Sequence, residues 1–228
     1  MSNRSMNADA RIKPAKIEKA SLSGQVYGEL RERIHKGQIT FEDRLVDVDI
    51  AKDFGVSRMP VREALLQLVH DGMLESTSRG FMLRRYSDEE VEEIFEIRLL
   101  LEPAAATIAA KNMNEAALKK MDSALRAGIK AHKVDDFTAF VLANAAFRSA
   151  WLAQVPNKQL VAALARYIDH VQIIRLVTLS QPSVRNDVLT RLRSAYDAFR
   201  AGNSDRVNAL FKQHVNAATS AYRTYRRS

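Results

Sequence analysis

Arg58 and Arg62 stand one helical turn apart, either side of a proline, in FGVSRMPVREALLQLVHDGML (residues 54–74). A guanidinium at the start of a helix can bond guanine O6 and N7 bidentately, each contact giving about 1–3 kcal/mol of base discrimination. The hydroxyl of Ser57, just before them, suits a phosphate oxygen, as do the unpaired N–H groups of a helix start. Arg79 lies in a second stretch, MLESTSRGFMLRRY. Beside it Gly80 permits a tight turn, from which an arginine can enter a minor groove. Taken alone, two arginines on a helix are more commonly a solvated face paired with a nearby Asp or Glu. The surrounding elements have to decide between these readings.

Those elements are legible in the hydrophobic spacing. Residues 1–21 lack periodicity and read as a flexible basic arm. From Leu22, Val26, Leu30 and Ile34 recur every four residues, and the pattern ends at Gly37. Residues 38–46 read as an extended connection. Asp47 is placed to cap a short helix with Ile50, Ala51 and Phe54 inward, stopped at Gly55. Ser57 caps the next helix, where Pro60 in the first turn costs little, because those N–H groups lack intrahelical partners. On that helix Val61, Ala64, Leu65 and Leu68 form the buried stripe. At 100° per residue, Arg58 and Arg62 lie roughly 90° from its centre and project outward. Two strand-like runs around Ser78-Arg79-Gly80 follow as a hairpin. Three short helices and a hairpin make a winged helix-turn-helix over residues 22–86, whose third helix lies in the major groove of duplex DNA.

After Tyr86 the strand signals stop. Ser87 with Glu90 forms a capping-box pattern that opens a long helix through Ile94, Ile97, Leu101 and Ile108. Further helices are predicted at about 115–133, 136–154, 157–180, 184–201 and 205–226. The fold class is mainly α: a winged helix-turn-helix, then an all-α six-helix bundle over residues 87–228.

Composition narrows the function. Of 228 residues, 46% are hydrophobic and 27% charged, as in a soluble globular protein, and no apolar run is long enough for a membrane span. The N-terminus has no apolar block, so a cytoplasmic protein is expected. There is no cysteine, which excludes thiol chemistry and cysteine-bound zinc. No nucleophile–base set or carboxylate pair is visible, so an enzyme is not expected. The net charge is +8, with 15 Lys/Arg against 12 Asp/Glu in residues 1–86 and 20 against 15 thereafter. The excess is spread evenly, so a DNA partner must be argued from particular arginines.

GVSRMPVREALLQLVHDGML, VYGELRERIHKGQI and ESTSRGF resemble the DNA-binding domain of the GntR family of bacterial repressors, almost continuously over residues 24–86. The resemblance implies that Arg58 and Arg62 read bases and that the wing around Arg79 and Gly80 touches the minor groove. Met59 stands where threonine is usual, which removes a hydroxyl. TFED (40–43) replaces the usual Pro-Gly turn before the second helix.

VEEIFEIRLLLEPAAATIAA (91–110), AFRSAW, PNKQL and AFRAGNSDRVNALFKQH are similar to the FCD effector domain of the FadR-like branch, and six helices look more like its VanR-type than its FadR-type. Many FCD domains bind a divalent metal through one Asp and three His. Alignment places Asn144 and Arg148 at the first two of these positions, Leu192 at the third and His214 at the fourth. One imidazole beside a guanidinium and an aliphatic chain is a poor set for zinc or nickel, so no metal or other cofactor is expected. A guanidinium binds carboxylates directly. The resemblance therefore points to a small anionic effector, such as an organic acid, at Arg148 with Asn144 and His214. Arg98 either faces the same cavity or pairs with Glu102 one turn away. A homodimer on a short inverted repeat of double-stranded DNA is the expected assembly, acting as a repressor. The alternatives are a metal sensor with an atypical site and an effector-independent DNA-binding protein.

Overall fold

The computed structural model describes residues 21–227, apart from the side chains of Arg166, Ile168, Asp169 and Arg227. The basic arm read from the sequence lies outside the described residues up to position 20. Ser21 caps the first helix, its hydroxyl accepting from the Gly24 N–H at 3.1 Å. Among the described residues the order is α1 (Leu22–His35), α2 (Asp47–Phe54), α3 (Arg58–His70), β1 (Leu74–Thr77) and β2 (Gly80–Leu83). There follow α4 (Asp88–Lys111), α5 (Glu115–Lys133), α6 (Phe137–Leu152), α7 (Lys158–Thr178), α8 (Pro182–Arg200) and α9 (Ser204–Arg227).

The N-terminal elements pack on the stripe that the sequence gives to α3. Val61, Leu65 and Leu68 are wholly buried against Val26, Leu30 and Ile34 of α1. The strands pair antiparallel, with Thr77 opposite Gly80. The connection before α2 adds a third short partner, because Leu45 and Phe81 exchange both backbone hydrogen bonds at 2.8 Å. TFED closes without its Pro-Gly. The Asp43 carboxylate accepts from the Thr40 N–H at 2.7 Å and its hydroxyl at 2.8 Å, a side-chain-closed turn.

Two expected caps differ. The residue before α2 is Val46, so Asp47 is the first helical residue and its carboxylate points elsewhere. Ser57 does stand at the N-cap of α3, but its side chain makes no capping bond. The capping box at Ser87 and Glu90 is present in full.

The bundle core is built from small residues of α4 to α6 and a cluster of rings. Trp151 meets Phe211 edge-on at 5.0 Å, and Phe211 meets Phe199 at 5.8 Å. The two halves are joined through α7. Ile173 and Leu176 of α7 belong to the core of the N-terminal elements. The buried Gln172 amide donates to the carbonyl of His35 at 3.0 Å. The Tyr86 hydroxyl bonds the Gly72 carbonyl at 2.6 Å and the Nδ1 of His170. Gly72 allows this approach, since a Cβ there would lie 2.7 Å from the His170 ring.

Gly80 has φ +130°, and a Cβ there would lie 2.6 Å from the Leu45 carbonyl oxygen. Gly80→Ala should therefore destabilise the wing by about 1–3 kcal/mol, read as a lower denaturation midpoint. An unchanged midpoint would show that the hairpin does not need this close approach.

Candidate DNA-reading edge and effector cavity

At the start of α3, Arg58 and Arg62 project from the domain with side chains 62% and 59% exposed. Both lean on one carboxylate. Arg58 Nη2 lies 3.3 and 3.2 Å from the two oxygens of Asp47, and Arg62 Nη1 lies 3.7 Å from one of them. Asp47 itself is buried. Sequence reasoning missed this partner by reading it as a cap. The available signal was an acid at the start of one helix of the motif and two cations at the start of the next. Ser57 and Met59 flank Arg58, the latter 65% exposed, so the first turn of α3 presents a hydroxyl, a thioether and two guanidiniums to solvent. Arg79 is exposed in the two-residue turn between β1 and β2, next to Gly80, and makes no ion pair among the described residues.

In the bundle, Asn144, Arg148, Leu192 and His214 all line one cavity of about 20 Å³. Three helices supply them: α6 the first two, α8 and α9 the others. Glu102 of α4 and Arg175 of α7 line it as well, neither singled out for the cavity from sequence. A second void of about 60 Å³ shares Asn144, Arg175, Arg191 and His214 with it. Of the two placements expected for Arg98, the structure has the pairing with Glu102 and not the cavity wall. The Arg98 Nε donates to Glu102 at 2.7 Å, both residues are buried, and Glu102 stands between Arg98 and the cavity. The ion pair one turn away is the arrangement adopted.

Charge in this region is uneven. Burial alone would raise the Glu102 carboxyl, yet the Arg98 and Arg148 guanidiniums outweigh that and hold it at about 2. Burial lowers Arg148 to about 10, with Glu102 opposing and Arg98 reinforcing the shift, so it stays a cation. His214 is pushed down to about 4, first by burial and then by Arg98, and is neutral at pH 7. Arg148 makes no ion pair within 4 Å to a described carboxylate, whereas Arg191 pairs with Asp187 at 3.1 Å. Among the described residues, Arg98, Arg148, Arg175 and Arg191 stand against Glu102 and Asp187, an excess of two cations.

A divalent metal does not fit this set. Glu102 and His214 are the only acid and imidazole on the described wall, among guanidiniums, and no group of three or more His, Asp or Glu among the described residues could hold one.

Comparison with known proteins settles the class. Residues 93–217 match the FCD domain and residues 22–81 match the bacterial regulatory proteins of the gntR family. The chain is a GntR-family regulator with an FCD domain. It is 28% identical to the HTH-type transcriptional regulator YdhC of Bacillus subtilis over 195 residues, 85% of each chain. It is 29% identical to the gluconate operon transcriptional repressor of the same organism, over 82% of this chain and 73% of that one. A solved GntR regulator from Rhodococcus sp. RHA1 superposes with TM-score 0.77 at 25% identity, covering 89% of this chain and 97% of that one. Escherichia coli McbR/YncC superposes with TM-score 0.75 at 22% identity, which speaks for the fold alone. The family consists of transcriptional regulators rather than enzymes, and its helix-turn-helix implies DNA binding. No helix among the described residues is long and apolar enough to cross a membrane.

The regulator should be acid-sensitive through His214. A base whose folded value of about 4 lies below its ordinary 6.5 binds fewer protons folded than unfolded in that window. Its contribution is therefore complete above pH 6.5 and lost as pH falls toward 4. Chemical denaturation across that range should show a shallower pH slope for His214→Gln than for the parent. Parallel slopes would mean that the imidazole titrates normally.

Proposed function

We propose that this regulator is a cytoplasmic repressor, dimeric on a short inverted repeat, whose operator affinity is set by a small anionic effector. Arg58 and Arg62 read bases in the major groove, Ser57 holds a phosphate, Met59 lies against the groove wall, and Arg79 beside Gly80 enters the minor groove. The effector's carboxylate sits on Arg148, with Asn144 and His214 as neutral hydrogen-bonding neighbours. The repressor assignment is supported by two relatives, the gluconate repressor and a probable D-xylose utilization operon repressor of Paenarthrobacter nicotinovorans, 25% identical over 204 residues.

The observation that carries the effector reading is Arg148. It is a half-buried cation that lines a cavity, while the one acid on that wall, Glu102, is already bound to Arg98. The 20 Å³ space has room for about one water. A short-chain acid is accommodated when the side chains of Arg175 and Arg191, shared by both voids, move aside and merge them. Arg175 ties the cavity to the DNA-binding half, because α7 also carries His170, Gln172, Ile173 and Leu176 on its joint side. An acid that favours one placement of α7 then changes operator affinity, with couplings typically of 1–3 kcal/mol.

The test is to select bound duplexes from a random pool and repeat the binding with acetate, pyruvate and succinate. An inverted repeat should emerge, and one or more acids should shift its affinity by about 5- to 150-fold. Arg148→Gln should bind the operator normally and ignore the acid, whereas a retained response would remove Arg148 from the site. Arg58→Ala and Arg62→Ala should each relax sequence preference by about 1–3 kcal/mol. Intact preference in both would dismiss the base-reading role.

A further inference from the structure

Among the described residues Asp47 is the one acid that touches both candidate base readers, and it reaches them from a different helix. We propose that Asp47 is a positioning residue for operator specificity, fixing the two guanidiniums before DNA arrives; the inference rests on the reading of Arg58 and Arg62 as base readers. Its side chain is 11% exposed while those of its partners are 62% and 59% exposed, so the carboxylate is an anchor in the protein and the cations are the part offered outward. Asp47 begins α2 and the arginines begin α3. The shared contact therefore orients both side chains relative to the whole motif, which packing within α3 alone cannot do.

Each guanidinium carries five N–H donors, and the carboxylate engages one nitrogen of each. Donors remain on both for a two-point contact with a guanine edge. Reading a base this way requires a fixed side-chain direction, and a long, freely rotating arginine loses rotamer entropy to acquire it. A side chain already held by a carboxylate loses less. Contacts to phosphates make no such demand on direction, so non-specific binding gains nothing from the anchor. It is in fact weakened, because a negative charge lies beside the phosphate backbone. Both effects act in one direction: Asp47 widens the gap between operator and random DNA.

This predicts a signature that a purely structural or competing role would not give. The full-length chain with Asp47→Asn is titrated with the selected operator and with a scrambled duplex of equal length at one salt concentration. The operator-to-scrambled affinity ratio should fall about tenfold, while affinity for the scrambled duplex stays the same or rises. Asp47→Glu should recover part of the ratio. Asp47→Ser, which removes the charge but keeps a hydroxyl at the start of α2, serves as the second variant should the amide melt below the assay temperature. A ratio that is unchanged or larger in the uncharged variants would overturn the proposal, including the case where both affinities drop together. Arg58→Ala and Arg62→Ala are measured beside them. If these lower the ratio and the Asp47 variants do not, only the anchoring role fails; if they leave it intact, the base-reading assignment fails first.

Discussion

The structure depends on α7 satisfying two environments at once. At 100° per residue, the side chains it turns to the joint, from Gln172 through Leu176 and Ile173 to His170, cover an arc of roughly 160°, and Arg175 lies about 140° from the centre of that arc. Ile173 and Leu176 complete a core that the N-terminal elements do not close alone, while Arg175 closes the bundle cavity. A helix wedged this way cannot rotate or slide without breaking contacts on both sides, since packed interiors repack between discrete arrangements rather than deform smoothly. Its C-terminal end is held too. Arg185 of α8 donates to the carbonyls of Leu179 and Ser180 at 3.0 and 3.2 Å and pairs with Asp135.

Electrostatics supports the proposed anion at the cavity beside α7. A charge taken out of water is costly unless paired, and removing one partner of a buried pair typically costs 3–5 kcal/mol. Arg98 and Glu102 satisfy each other, which leaves Arg148 as the cation with an open side. Trp151 and Phe211 of the ring cluster line this cavity, and an apolar wall strengthens a charge interaction formed beside it. On the proposed reading, the Arg148 guanidinium takes the part that the FCD resemblance gives to a metal, and both attract a carboxylate.

The sequence showed the elements well and the contacts between them poorly. Helical periodicity placed six bundle helices close to their observed bounds, and the Ser87–Glu90 spacing located the start of α4 because a capping box is local. Gly80 was marked as a turn glycine, while its actual reason, the Leu45 carbonyl against it, comes from a segment thirty-five residues away. The Asp47 contact is hidden for the same cause: an acid at a helix start reads as a cap, and the fold brings it to cations eleven and fifteen residues on. Convergence of positions 144, 148, 192 and 214 was legible only through resemblance, since no spacing links three separate helices. That α7 belongs to both halves left no trace in its pattern, which shows only a helix apolar on more than one face.

The joint also bears on how small a change inside the bundle can matter at DNA. The C-terminal end of α3 is pinned: Asp71 accepts from the Tyr27 hydroxyl at 2.8 Å and from Gln67 at 3.0 Å, and the next carbonyl, that of Gly72, accepts from Tyr86. Tyr86 in turn holds His170 of α7. Arg58 stands at the opposite end of this thirteen-residue helix, a lever of about 20 Å at 1.5 Å per residue. A tilt of about 5° at the pinned end would displace the reading end by nearly 2 Å, more than the spread of lengths a base-edge hydrogen bond tolerates. Phosphate contacts, made by flexible side chains, survive such a shift. On the proposed mechanism an effector that merges the two voids and moves α7 slightly would therefore remove specific binding before it removes general affinity.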